Sequence, residues 1–209
     1  MLEAAYRVYV PARVLGTMVM APASRSWNAC EIVPRLYLGN LNDSLNEGAL
    51  REHGVTHVLS ALRHMPSLPF RHMVGPRCAI LGCGSWRAHA TVCLCRRAWC
   101  LQGVVNCSVP LLDVDSEDLL RHLPSTTAFI SKALSGGGRG AGEVDGAAVL
   151  VHCVQGMSRS AAVVAAYLMA SRGMSRKDAV ELLVSKRPIV KPNPGFLRQL
   201  DEFGDSLRR

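Results

Sequence analysis

Cys153 and Arg159 lie in a Cys-x5-Arg spacing around Gly156, in the run His152-Cys153-Val154-Gln155-Gly156-Met157-Ser158-Arg159-Ser160. A thiolate is a strong nucleophile, and a guanidinium can fork two oxygens of a tetrahedral oxyanion. The intervening residues are short enough to turn tightly and aim several backbone N–H groups at one point. A sulfur at the floor of such an anion site is placed to attack phosphorus. That chemistry needs a thiol that ionises readily. A free thiol titrates near about 8.5, and a helix N-terminus with a nearby guanidinium lowers that value.

The flanking sequence supplies those positioning elements. Ala147-Ala148-Val149-Leu150-Val151 precedes the loop and Ala161 to Ala170 follows it. Together they predict a buried strand, a tight loop and a helix N-terminus, whose dipole favours an anion. The helix ends near Gly173. Upstream, Ile32 to Asn40 predicts a short strand pair, or a strand and turn. Asp43 or Ser44 is placed to cap a helix through about His53, with Gly54 as its stop. Val55 to Ser60 is β-branched and apolar and reads as a buried strand. Val109-Pro110-Leu111-Leu112-Asp113 predicts a strand running into a loop. Ser116-Glu117-Asp118 opens a helix to about Leu134, with Pro124 as a kink or restart. Residues 135–146 are glycine-rich and predict a mobile loop. Ser175-Arg176-Lys177-Asp178 is a capping-box pattern for a helix to about Lys186. Asn193-Pro194-Gly195 opens a last helix with Phe196, Leu197, Leu200 and Phe203 on one face. Strands alternating with helices predict an α/β fold whose central, mainly parallel sheet is flanked by helices. The loop then sits at the carboxyl end of a strand, where such sheets bind ligands.

A chain of 209 residues suits one domain with a substantial core. No run of roughly 18 apolar residues predicts a membrane span. The formal net charge of +8 suits phosphorylated or acidic partners. Nucleic acid is disfavoured, because neither zinc-finger spacing nor an RNA-binding aromatic motif occurs. No convincing signal peptide precedes the eight cysteines, so reduced thiols in the cytoplasm or nucleus are expected. Residues 1–30 carry Arg7, Arg13 and Arg25 against Glu3 alone, a weak mitochondrial-presequence pattern. Pro11, Gly16 and Pro22 interrupt any helix there and favour a poorly ordered extension.

One segment departs from this pattern. No Asp or Glu occurs from Gly54 to Leu112, and residues 75–108 hold Cys78, Cys83, Cys93, Cys95, Cys100 and Cys107. No Cys-x-x-Cys pair is present, which disfavours zinc. Two readings stay open for the segment: a surface insertion of unusual composition, or translated non-coding sequence.

The signature run resembles the active-site loop of cysteine-based protein phosphatases, and its surroundings resemble the dual-specificity branch, in its small atypical type. Ile32-Val33-Pro34-Arg35-Leu36-Tyr37-Leu38-Gly39 is similar to that branch's opening segment. Val109-Pro110-Leu111-Leu112-Asp113 is similar to its general-acid segment. Ala161 to Leu168 and Lys191-Pro192-Asn193-Pro194-Gly195-Phe196 are similar to its closing helices. The resemblance implies a catalytic domain over residues 31–206, interrupted by the cysteine-rich segment.

It also implies roles. Cys153 would attack in line and form a phosphocysteine. Arg159 would clamp two equatorial oxygens. The N–H groups of Val154, Gln155, Gly156, Met157, Ser158 and Arg159 would complete a substrate cradle. Ser160 would hydrogen-bond the sulfur and ease its departure. Asp113 would protonate the leaving oxygen, with Asp115 as the alternative and Asp118 as a first-turn helix acid. His152 would orient the loop. Asn193 is either a helix cap or a support of the loop. Lys186, Arg187 and Lys191 read as a solvated face, or as a docking site for an acidic partner. The implied activity is hydrolysis of phosphotyrosine and phosphoserine or phosphothreonine, without metal or organic cofactor. Phosphorylated proteins would be the substrates, protein kinases among them at the level of the family. The uncharged Val154, Gln155 and Met157 disfavour a lipid substrate. The alternatives are a phosphate-binding scaffold with impaired turnover, or a phosphatase acting on RNA 5′ ends or lipid.

Overall fold

The computed structural model of the chain describes residues 26–63, 104–135 and 147–209. Five strands form one sheet: β1 (Cys30–Val33), β2 (Leu36–Gly39), β3 (Val55–Ala61), β4 (Val105–Val109) and β5 (Ala148–His152). Their order is β1-β2-β5-β3-β4. Only β1 runs antiparallel to its neighbour; β2, β5, β3 and β4 are parallel. Every residue of β5 is buried. That fits its unbroken apolar sequence, because a central parallel strand is covered on both faces. The sheet is thus the expected mainly parallel one, with β5 at its centre.

The strand register places the site. Leu38, Val151 and Leu59 face one another across β2, β5 and β3, and Gly39, His152 and Ser60 follow in the next row. This row is the carboxyl edge of the sheet, and Cys153 is the next residue. The glycine-rich residues 136–146 lie outside the described residues. Arg35 ties their two flanks together, donating to the carbonyls of Leu134 and Ala147 at 3.1 and 3.3 Å.

Three expectations are corrected. First, the helix expected up to His53 is two short helices, α1 (Leu41–Leu45) and α2 (Glu47–Glu52). Asn40 is the cap of α1 and Asp43 its buried partner in a capping box; Asn46 then accepts the N–H of Ala49 and restarts the chain as α2. Gly54 ends α2 as expected, at a φ of 62°.

Second, no helix begins at Ser116. The chain stays irregular through Leu119, makes a 3₁₀ turn at Leu120–His122 and enters α3 at Leu123–Ser135. The N–H groups of Leu119 and Leu120 are taken by Gln199 Oε1, at 2.7 and 3.0 Å. Asp118 instead accepts the N–H of Arg121 at 3.2 Å. Pro124 falls in the first turn of α3, where its missing N–H costs nothing.

Third, the strand placed at Val109–Asp113 is β4, which ends at Val109 and begins at Val105. The segment read as an insertion therefore overran: residues 105–108 belong to the sheet, and Cys107 is buried against the core. Its small side chain and short alternating pattern hid it within an odd composition. Cys78, Cys83, Cys93, Cys95 and Cys100 lie outside the described residues.

The three closing helices sit where their caps predict them. α4 (Arg159–Arg172) ends at Gly173, α5 (Arg176–Lys186) is capped by Ser175, and α6 (Pro194–Leu207) by Asn193. Most of α4 is buried on all sides, since it packs against α3, α5, α6 and β5. Its Ala-Val composition follows from that crowding: small residues let its neighbours approach.

Candidate active site

The loop from Cys153 to Ser158 joins β5 to α4. Its peptide units are divided between two environments. Every carbonyl points away from the loop's centre and is bonded there. The Cys153 carbonyl accepts from His152 Nδ1 at 3.1 Å, and that of Val154 from the Leu41 N–H at 3.1 Å. The carbonyls of Gln155 and Gly156 accept from Arg187, each at 3.0 Å. The Met157 carbonyl accepts from the Lys191 N–H and that of Ser158 from Ala162, both at 2.9 Å. A trans peptide sets its N–H opposite its carbonyl. Outward carbonyls thus leave inward N–H groups, the requirement for an anion cradle.

Cys153 is buried at the floor of this cradle. Its Sγ accepts from the Gly156 N–H and from Ser160 Oγ, both at 3.2 Å. Burial by itself pushes the thiol up. The Ser160 hydroxyl and N–H, the Arg159 guanidinium and the Met157 N–H outweigh it, and the pKa lies below its ordinary value. The contacts around the sulfur therefore favour its ionisation. Gly156 has a φ of 71°, and a Cβ there would stand 2.3 Å from the Gly39 carbonyl oxygen. Only glycine lets the loop lie against β2.

Arg159 opens α4 with its side chain largely buried. Its Nε lies 3.7 Å from Asp113 Oδ2, an ion-pair distance without a hydrogen bond. That Nε has no hydrogen-bond partner among the described residues. A buried donor left open near the Cys153 sulfur is an anion contact in waiting.

Asp113 follows β4 and hangs over the loop. Its Oδ1 accepts from Ser158 Oγ at 2.5 Å and from Asn193 Nδ2 at 2.9 Å. Ser158 Oγ in turn accepts the N–H of Asn193 at 3.2 Å. The Asn193 Oδ1 caps α6 on Phe196 at 2.8 Å, as the sequence offered, and its side-chain amide holds Asp113, a contact the sequence did not suggest. Asp115 projects to solvent and makes no side-chain hydrogen bond with a described residue, while its backbone rests on α6. A Cβ on Gly195 would stand 2.1 Å from the Asp115 carbonyl oxygen. Gln199 completes the attachment, donating to the Glu117 carbonyl at 2.8 Å.

His152 is buried between β5 and β3. Its Nδ1 must donate, since the Cys153 carbonyl only accepts; Nε2 is then the acceptor for Ser60 Oγ at 2.7 Å. Burial lowers its pKa to about 4, against the pull of the Cys153 carbonyl, so the imidazole is neutral at pH 7.

The sequence missed two residues. In the sequence Arg187 groups with Lys186 and Lys191 as a solvated face or a docking site for an acidic partner. Lys186 and Lys191 are exposed, but Arg187 is buried and bonded to the loop. Its position after a helix rich in exposed residues gave no sign of this. Gln199 was one polar residue on a helix surface. Along one rim of the loop lies an open groove of about 610 Å³, lined by Asn28, Asn40, Asn42, Gln155 and Ile189 among others. Among the described residues no group of three or more His, Cys, Asp or Glu side chains is placed to share a metal ion. No described helix is long and apolar enough to cross a membrane.

A thiolate-stabilising cradle at the carboxyl edge of a parallel sheet, with an arginine inside and a carboxyl group above, defines a cysteine-based phosphatase. A sequence profile of the dual specificity phosphatase catalytic domain matches residues 89–206. The chain belongs to the dual specificity phosphatase family, whose function is protein phosphatase chemistry through a phosphocysteine. Human dual specificity phosphatase 28 is 34% identical over 177 residues, which cover 85% of this chain and 78% of that protein. Its crystal structure aligns with a TM-score of 0.64 at 31% identity, covering 86% of this chain and 97% of that one. A mouse putative dual specificity phosphatase, solved with zinc tungstate, aligns with a TM-score of 0.65 at 29% identity, covering 93% and 95%.

Two outcomes follow. Unfolded His152 binds a proton near pH 6.5 and folded His152 only near 4, so the unfolded state holds more protons between these values. Stability contributed by the neutral imidazole is present above about 6.5 and is lost as pH falls toward 4. Urea titrations at pH 7 and pH 5 should show the wild type losing about 2 kcal/mol more than His152→Asn. Equal losses would assign the acid sensitivity elsewhere. Gly195→Ala should push the Asp115 backbone off α6 and carry Asp113 with it. Turnover of an alkyl phosphate should fall at least about tenfold, while alkylation of Cys153 by iodoacetate keeps its wild-type pH profile. A changed alkylation profile would show that the whole loop had moved.

Proposed function

We propose that this chain is an active protein phosphatase, hydrolysing phosphotyrosine and phosphoserine or phosphothreonine monoesters in proteins. The observation that carries this is the buried, open Nε of Arg159 in the same loop as a thiol held below its ordinary pKa. Together they complement a phosphate dianion. The Cys153 sulfur attacks phosphorus, the S–P bond forms and the ester P–O bond breaks. Asp113 gives its proton to the departing oxygen. In the second step water attacks phosphorus and passes a proton to Asp113. The sulfur then leaves as a thiolate, assisted by Ser160, and inorganic phosphate is released. Arg159 and the loop N–H groups neutralise charge on the equatorial oxygens in both steps.

Two features support proteins as the substrate class. The loop positions beside the phosphate are Val154, Gln155 and Met157, without the cationic side chains that a polyanionic lipid headgroup would attract. The groove on the rim carries asparagine and glutamine amides, suited to the main chain of a peptide.

Purified full-length protein should hydrolyse 4-nitrophenyl phosphate and both phosphotyrosine and phosphothreonine peptides, and Cys153→Ser should reduce all three to background. Turnover surviving in Cys153→Ser would sink the mechanism. Asp113→Ala should lower kcat on the phosphothreonine peptide by roughly 100-fold or more, and on the nitrophenyl ester by much less, because nitrophenolate leaves without a proton. Equal rates for wild type and Asp113→Ala on the peptide would transfer the acid role to Asp115. Peptide binding with no turnover in the wild type would make the protein a scaffold.

A further inference from the structure

Arg187 lies outside the Cys-x5-Arg motif, yet it is the side chain most engaged with the loop. It closes α5, is buried, and spends its guanidinium on main-chain carbonyls. Nε donates to Gly156 and Nη2 to Gln155, each at 3.0 Å, and Nη1 to Asn28 at 2.6 Å. No described carboxylate lies within ion-pair distance of it. A buried cation usually finds an acid; this one is held by carbonyl dipoles and by a contact of Nη1 with Cys30 Sγ at 3.7 Å.

The two loop carbonyls it holds belong to adjacent peptide units. The Gln155 carbonyl shares a rigid plane with the Gly156 N–H, and the Gly156 carbonyl with the Met157 N–H. The Gly156 N–H points at Cys153 Sγ, 3.2 Å away. The Met157 N–H also stabilises the thiolate. The other loop carbonyls are held by backbone N–H groups or by His152. The middle of the cradle depends on one side chain from a different helix. Glycine at 156 makes this dependence acute, because a residue without Cβ lets its flanking peptides rotate freely.

We propose that Arg187 is a positioning residue of the phosphate cradle: its planar fork turns the 155–156 and 156–157 peptide units so that both N–H groups face the sulfur and the bound oxyanion. It touches neither sulfur nor substrate. The proposal rests on the phosphatase reading, since it gives Arg187 its purpose through Cys153. Lysine at this position would replace it only partly, because one ammonium does not reproduce a planar fork across two carbonyls.

The test uses full-length wild type, Arg187→Met, Arg187→Lys and, as a control for lost charge, the exposed neighbour Lys186→Met. Four quantities are measured at a temperature where thermal unfolding shows each protein folded. They are the pH midpoint for iodoacetate alkylation of Cys153, followed on its peptide by mass spectrometry, the inhibition constant of tungstate, and kcat and KM on an aryl phosphate. Arg187→Met should shift the alkylation midpoint upward and weaken tungstate and kcat/KM by about tenfold or more. Arg187→Lys should fall between Met and wild type, and Lys186→Met should match wild type. A folded Arg187→Met with the wild-type midpoint and tungstate affinity overturns the proposal, even if it is less stable. Should Met at 187 prevent folding, Arg187→Lys with wild-type values overturns it equally. A wild-type Cys153 that alkylates like an ordinary thiol would instead remove the phosphatase reading beneath it.

Discussion

A loop presents several N–H groups to one point only if its carbonyls are satisfied somewhere else. From Cys153 to Ser158 every carbonyl is bonded outward: to His152, to Leu41, to Arg187 twice, to Lys191 and to Ala162. The rest of the site depends on this partition. It leaves N–H groups to stabilise a buried sulfur that desolvation alone would keep protonated. It also sets Arg159 at the start of α4, where its buried Nε has no hydrogen-bond partner among the described residues and lies 3.7 Å from Asp113.

The partners of those carbonyls come from five parts of the fold. β5 supplies His152, the start of α1 supplies Leu41, the end of α5 supplies Arg187, the approach to α6 supplies Lys191, and α4 itself supplies Ala162. The cradle is thus a meeting point rather than a local motif, and its shape reports how the helices close over the sheet edge. The lack of a Cβ at Gly156 lets β2 come close enough for this, with the Gly39 carbonyl in the space a side chain would need.

The segment that carries Asp113 is anchored differently. Residues after β4 form little regular structure and are fastened to α6 by Asn193, Gly195 and Gln199, and to the cradle by Ser158. Asp113 is therefore held by side chains that also order the last helix. The same attachment explains why Ser116 does not begin a helix, despite its acidic first-turn pattern. Local preference for a helix start is worth about 1 kcal/mol, and several tertiary hydrogen bonds outweigh it.

The sequence alone determined the strands, the closing helices and the Cys153 loop, because each is encoded locally. Apolar runs of strand length, caps at Ser175 and Asn193, a stop at Gly173 and the Cys153–Arg159 spacing are properties of neighbours in the chain. It also placed Ser160 and Asp113 in the site, through resemblance to a family. It misjudged the edge of the sheet at β4, where a short alternating strand hid in an acid-free, cysteine-rich composition. It passed over Arg187 and Gln199 altogether. Only the tertiary structure decided their roles, since a polar side chain on a helix looks the same in sequence whether it meets water or a distant carbonyl. Which N–H groups face the sulfur was decided there too, because that depends on where each carbonyl finds its partner, and those partners come from residues far apart in the chain.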